Sequence, residues 1–336
     1  RIGLKMSTLT AIKNRLKESE LFFTVRVPNF ARIGNELLIV STYRINPLMN
    51  PRQKEKVLRR FIVGNPGVIL HMMGTEYDLS IHVARNYTEA RRYFDRLEML
   101  MSANDIIEPD GSHQIYFSFE MTAVINFFDF SGPLEALYDM GPVDGGSSKG
   151  TGGVAGGGSD LTGTGIDVER LTTKEKSVLY GLVRYPDLPD KVVAREVGVT
   201  RQTVNRLKKE FEQGGLFRTM RIPNIHKIGA EIIILSLSRF NPQMTLEKRR
   251  KGISLVSRFP QILSVSSDME AANLFITRDF RTYQEIKDQI MAFYKKHDYF
   301  SEEPEIILFS IDSLQLIKDH AYADLLANCL GLDIKK

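Results

Sequence analysis

Tryptophan is absent from this 336-residue chain, and cysteine occurs once, at Cys329. A single thiol excludes a disulfide framework and any thiolate metal cluster. Its surroundings, LLANCLGL, read as an apolar helix face, so Cys329 is expected in a core. No uninterrupted apolar run approaches the ~20 residues that span a bilayer. No secretory leader is visible either, and a cytoplasmic protein without membrane association is expected. P-loop, dinucleotide fingerprint, nucleophile elbow and zinc-ligand spacing are all missing. The six histidines, His71, His82, His113, His226, His297 and His320, share no ligand spacing and read as strand or surface residues. The stretch HMMG at 71–74 raises the question of haem, but methionines on a strand usually serve packing. These absences predict a protein that is not an enzyme and has no cofactor or metal.

What is present is a duplication. Residues 21–29 read LFFTVRVPN and residues 216–224 read LFRTMRIPN. Thr24, Arg26, Pro28, Asn29, Ile33, Gly34 and Glu36 recur as Thr219, Arg221, Pro223, Asn224, Ile228, Gly229 and Glu231, all at an offset of 195. A period this long is that of a whole domain pair, not of a solenoid. Between the copies, residues 141–166 hold eleven of the 25 glycines. Such a segment forms no core and reads as a flexible linker.

The net charge of +4 hides a segregation. Residues 1–34 carry seven Lys/Arg against two Glu, and residues 191–228 carry nine against three. Positive charge concentrated in corresponding places implies an anionic partner.

Repeat two reads as three helices and a strand. Thr172 and Glu175 form a capping box before the first helix. Asp190 is placed to cap the second and Thr200 the third, which Gly214 and Gly215 stop. With the strand LFRTMRIPN this describes a winged helix-turn-helix. Each repeat then continues as β-α-β-β-α-β, the order of a ferredoxin-like domain, and ends in a helix near 132–140 or 313–330. The fold class is therefore α+β, with two winged helix-turn-helix domains each followed by a ferredoxin-like domain. The expected boundaries are 1–27 (an incomplete winged domain), 28–140, the linker 141–166, 167–222 and 223–336. Repeat one lacks the first helix, which predicts about 30 preceding residues. Matching Arg15 with Arg206 requires a four-residue gap, so the two third helices are expected to differ by about one turn.

The stretch VGVTRQTVNRLKKEFEQGGLFRTMRIPNIHKIGAEI resembles the recognition helix, wing strand and hinge of the leucine-responsive regulator/asparagine-synthesis regulator (Lrp/AsnC) family, of an archaeal type. The resemblance implies a transcription regulator that binds double-stranded DNA, paired as a homodimer or as an intrachain pseudo-dimer. It also implies small effectors held in loops of the ferredoxin-like domains. Recognition helices present their exposed N-terminal residues to base edges. Those are Arg201, Gln202, Thr203 and Asn205 in repeat two, and Thr8, Thr10, Lys13 and Asn14 in repeat one. Arg206, Lys208, Lys209, Arg218, Arg221, Arg15, Lys17 and Arg26 are expected on the phosphate backbone. Glu76, Asp78, Asp268 and Glu270, in turns read as equivalent, are candidates for holding an effector's amino group or a cation.

Two alternatives stand beside this reading. Some proteins of this domain plan resemble tetrapyrrole decarboxylases; such an enzyme needs clustered His and Arg facing a cavity, and needs no basic recognition helices. The other is a co-regulator scaffold that does not bind DNA.

Overall fold

A computed structural model describes residues 5–140 and 170–332; the linker expected at 141–166 lies outside them. The chain forms two compact units, and neither coincides with a repeat. Unit 1 comprises residues 5–23, 122–140 and 221–312; unit 2 comprises 24–121, 170–220 and 313–332.

Unit 2 contains the β-α-β-β-α-β series of repeat one: β2 (Leu37–Ile45), α2 (Pro51–Gly64), β3 (Val68–Met73), β4 (Tyr77–Ala84), α3 (Tyr87–Ala103) and β5 (Ile107–Ser118). Pairing is antiparallel throughout, with the strands in the order β12-β3-β4-β2-β5. The outer strand β12 (Gln315–Lys318) comes from repeat two. In unit 1 the same series is β8 (Ile232–Arg239), α8 (Leu246–Val256), β9 (Gln261–Ser266), β10 (Glu270–Thr277), α9 (Phe280–His297) and β11 (Glu305–Ser310). Its order is β11-β8-β10-β9-β6, and β6 (Ala123–Phe127) comes from repeat one. Each repeat therefore gives its last strand to the sheet built by the other. These two strands are additions to the sequence reading, which has a helix alone after β5 and after β11. The helices that follow them are α4 (Ser131–Leu137) in unit 1 and α10 (Tyr322–Leu330) in unit 2.

The three-helix head expected in repeat two is present in unit 2 as α5 (Thr173–Arg184), α6 (Asp190–Glu196) and α7 (Arg201–Gln213). The capping box joins Thr172 and Glu175, and the Thr200 hydroxyl accepts from the Thr203 N–H. Asp190 is not a cap. It is the first residue of α6, and its carboxylate takes Lys208 (3.2 Å) and Asn205 (3.3 Å) instead. Val204, Leu207 and Phe211 bury one face of α7. Among the described residues, repeat one supplies only α1 (Met6–Glu18) before its strand. Both α1 and α7 have 13 residues, and α7 begins 195 positions after α1. This corrects the expected four-residue gap: Leu9, Ile12 and Leu16 correspond to Val204, Leu207 and Phe211. The apolar stripe, not the pair of arginines, sets the alignment of the two helices. In α1 no residue is buried.

The repeated nonapeptides are β1 (Phe22–Pro28) and β7 (Phe217–Pro223), which form a two-stranded ribbon. In unit 2 the Asn29 N–H donates to the Leu216 carbonyl at 2.8 Å; in unit 1 the Asn224 N–H donates to that of Leu21 at 2.8 Å. The arginines are exchanged across it: Arg26 lies 5.7 Å from the Phe217 ring centroid and Arg221 5.9 Å from that of Phe22. Both are cation–π range. Gly34 and Gly229 follow at φ +85° and +71°, which explains a glycine at both places.

Candidate ligand cleft and winged-helix face

Strand alternation sends Asp78, Ser80, His82 and Ala84 of β4 to one side of the unit 2 sheet, towards α2 and α3. A hydrophobic strand is ordinary there; a polar row is not. His82 is buried, and its ring stacks on Tyr93 of α3 with centroids 4.7 Å apart and planes 21° apart. Burial, and then the charge of Lys318, push its pKa down to about 3, so the imidazole is neutral. Its Nδ1 and the Tyr93 hydroxyl have no hydrogen-bond partner among the described residues. Groups of this kind are rare in folded proteins and need a reason.

His82 and Tyr93 floor a cleft of about 750 Å³ with Asn65, Arg60, Arg92 and Arg96 on its walls. That volume lies within the usual range for small-molecule sites. Local sequence sets its shape. Asn50 caps α2, with Pro51 in the first turn where no N–H is needed. Asn65 ends that helix, and its side chain accepts from the Gly67 N–H at 2.8 Å. A Cβ on Gly67 would lie 2.6 Å from His82 Nε2, so only glycine lets this loop cross the imidazole. Asn86 caps α3 through the Glu89 N–H, and Arg92 and Arg96 follow one turn apart on its exposed side.

The charges there are unbalanced. Arg59 pairs with Glu55 and Arg91 with Asp95. Arg60, Arg92 and Arg96 have no carboxylate partner among the described residues. The exchanged segment also reaches this site. Asn328 of α10 lines the cleft, and the buried Lys318 of β12 donates to the Asn65 carbonyl at 2.6 Å. Deeper in the same row, Lys54 and Asp78 form a fully buried pair at 2.8 Å, with His71 Nε2 3.9 Å from Asp78. Burial raises Asp78 to about 6, against the opposing pull of Lys54, and lowers His71 to about 3.

The effector candidates do not converge. Asp78 is not in a turn but in β4, fully buried, with Oδ1 accepting from Lys54 and from the Gly74 N–H, so the expectation that it holds an effector is corrected. Glu76 is exposed in the β3–β4 turn. Asp268 pairs with Arg249, and Glu270 with Arg239 at 3.3 Å. Strand register places Asp78 opposite Met73 and Ala271 opposite Ser266, so Ala271, not Asp268 or Glu270, is the counterpart of Asp78.

The expected DNA residues fall into groups. Arg201, Gln202, Asn205, Arg206 and Lys209 line one open groove along α7. Thr203 is half-buried beside its cap, and Arg206 pairs with Glu210 at 2.7 Å. Lys208 is tied to Asp190. On α1, Thr8, Thr10, Lys13, Asn14 and Arg15 are exposed and Lys17 is half-buried. Arg218 is half-buried on β7 and Arg221 exposed. Arg26 requires correction: it is 4% exposed and donates to the Leu182 carbonyl, so no phosphate reaches it. Cys329 is half-buried, with its thiol 3.7 Å from Asn35 Oδ1, and burial raises its pKa.

No protein-family profile and no curated protein matches the sequence. Among solved structures, the chain is similar to the siroheme decarboxylase NirDL, with a TM-score of 0.51 and 8% identity over 98% of this chain and 90% of that one. The same enzyme in co-complex with an iron-uroporphyrin III analogue matches equally well, at 9% identity. An AsnC family transcriptional regulator from Agrobacterium tumefaciens matches 42% of this chain and 89% of its own, with a TM-score of 0.34 and 16% identity. The antiparallel sheets and their helices share the fold of the decarboxylase. The expectation of a non-enzyme is thereby corrected. An architecture matching nearly the whole chain belongs to an enzyme, and the missing motifs are those of other reaction classes. No helix among the described residues is long and apolar enough to cross a membrane.

Proposed function

We infer that this chain is a decarboxylase acting on a tetrapyrrole with carboxylate side chains, of the kind that siroheme represents. The observation that carries the reading is the set of three arginines, without carboxylate partners among the described residues, around a cleft floored by the neutral, buried His82 and by Tyr93. The fold shared with NirDL supports it.

The chemistry follows from charge and burial. Arg60, Arg92 and Arg96 hold peripheral carboxylates by charge-assisted hydrogen bonds. A carboxylate pressed onto the His82–Tyr93 floor loses hydration, which favours its departure as neutral CO₂. The C–C bond breaks, its electron pair stays on the side-chain carbon, and one proton from an N–H or O–H donor completes a methyl group. We assign that donor to His82 or Tyr93, which line the floor. The test is to incubate the full chain with siroheme without oxygen and follow product mass. Loss of CO₂ per side chain supports the reading; an unchanged tetrapyrrole, bound or unbound, overturns it.

A second reading is DNA binding by the head in unit 2, favoured by the exposed Arg201, Gln202 and Lys209 along α7. Fluorescence anisotropy with duplex DNA at several salt concentrations tests it, since phosphate contacts give a steep fall of log K with log salt. No binding at low salt removes it.

A further inference from the structure

The two sheets carry different side chains at matching positions, and one such difference changes the space beside the sheet. In unit 2, Ser41 faces Ser80 and Tyr43 faces Asp78 across β2 and β4. In unit 1 the corresponding pairs are Ser236 with Asn273 and Ser238 with Ala271. Tyr43 is wholly buried and fills its side of the unit 2 sheet. At the same place in unit 1, a serine and an alanine replace a phenol ring and a carboxylate, and the space stays open. It is a cavity of about 50 Å³ against α9. A buried water needs about 10–15 Å³ of such space, so there is room for about four, or for the short tail of a ligand whose head reaches the rim.

The lining is built for a particular chemistry. Phe240, Ile290 and Met291 are among its apolar walls, and Ser236, Ser238 and Asn273 form a polar strip on the sheet. Ser238 is buried, and its hydroxyl has no partner among the described residues. Asn273 accepts from the Ser264 hydroxyl at 2.7 Å through Oδ1, leaving its amide nitrogen as a donor without a partner there. Lys287 also lines the cavity, is exposed on α9, and pairs with no carboxylate among the described residues. Donors and one positive charge meeting a small apolar chamber select an acceptor-rich anionic head on a short hydrocarbon tail.

We propose that unit 1 carries a binding site for a short-chain aliphatic monocarboxylate, its tail between the sheet and α9 and its carboxylate on Lys287, Asn273 and Ser238. The site is separate from the cleft in unit 2 and does not depend on the reaction assigned there.

Butyrate is the probe, titrated into the full chain with methyl-labelled methionine, because Met291 lies in the cavity wall. A saturable shift of the Met291 methyl signal is expected with butyrate, and none with 1-butanol or butylamine at equal concentration. Lys287→Met, a surface change, should weaken butyrate about tenfold, the loss of one charge-assisted hydrogen bond. Ser238→Tyr, which restores the residue of unit 2, should abolish binding. The proposal is overturned by a Met291 signal that butyrate leaves unmoved, by equal response to butanol, or by unchanged affinity in folded Lys287→Met protein.

Discussion

The imidazole of His82 lies nearly parallel to the ring of Tyr93, with centroids 4.7 Å apart, and the edge of the same imidazole abuts Gly67. A side chain held on two sides cannot swing into the cleft. Whatever it does there, it does from a fixed position and in its neutral form.

His82→Phe keeps the stack and removes both nitrogens. Tetrapyrrole affinity should stay within a few-fold, while turnover falls by about 100-fold or more, as expected for loss of a proton donor. Product mass and single-turnover absorbance read the two quantities separately. Turnover within twofold of the parent protein would take His82 out of the reaction.

Arg92→Ala and Arg96→Ala should each weaken tetrapyrrole binding by about tenfold at low salt, and less as salt screens the contact. Arg59→Ala is the control, since that arginine is occupied by Glu55. Equal losses in all three variants would mean a general effect of net charge, not a set of contacts.

Acid stability follows from the buried row. Unfolded, His71 and His82 take up protons near pH 6.5; folded, they stay neutral down to about 3. Asp78 works the other way, keeping its proton up to about 6 in the folded state against 3.8 unfolded. Between about pH 4 and 6 the unfolded chain therefore holds about one more proton, and these groups make stability rise with pH by about 1.4 kcal/mol per unit. The rise should flatten above about pH 7. Urea melts at several pH values measure the slope, and His71→Phe should bring it near zero. A slope that stays the same in that variant would place the proton uptake elsewhere.

Arg26 and Arg221 occupy the same place in the repeat but not in the fold. Arg26→Met strands the buried Leu182 carbonyl and should cost about 1–3 kcal/mol in denaturant melts. Arg221→Met removes an exposed cation–π contact and should cost less than about 1 kcal/mol. Similar losses would show that the burial of Arg26 has no energetic weight.

Periodicity and caps made most of the elements legible. The capping box at Thr172, the stop at Gly214 and the β-α-β-β-α-β order all rest on local chemistry that sequence carries directly. The strands β6 and β12 are not legible, because AVINF and QLIK are short and their partners lie far along the chain. At α1 the Leu9–Ile12–Leu16 stripe is the better guide to alignment than Arg15, because packing constrains an apolar stripe more tightly than a surface arginine. His82 is legible in the sequence as a strand residue. Its surroundings depend on Tyr93 and Gly67 meeting it and on the nearby charge of Lys318, and no spacing rule encodes that arrangement. The one available signal was the alternation of Asp78, Ser80 and His82, which puts three polar groups on what should be an apolar face.

The exchange of β6 and β12 has an evolutionary consequence. After an ordinary tandem duplication either copy can be deleted, because each still folds alone. Here deletion of one repeat uncovers the β3 or β9 edge in the sheet of the other, and a bare edge invites aggregation. Neither repeat therefore closes its sheet alone, although their interiors differ, as at Tyr43 and Ser238.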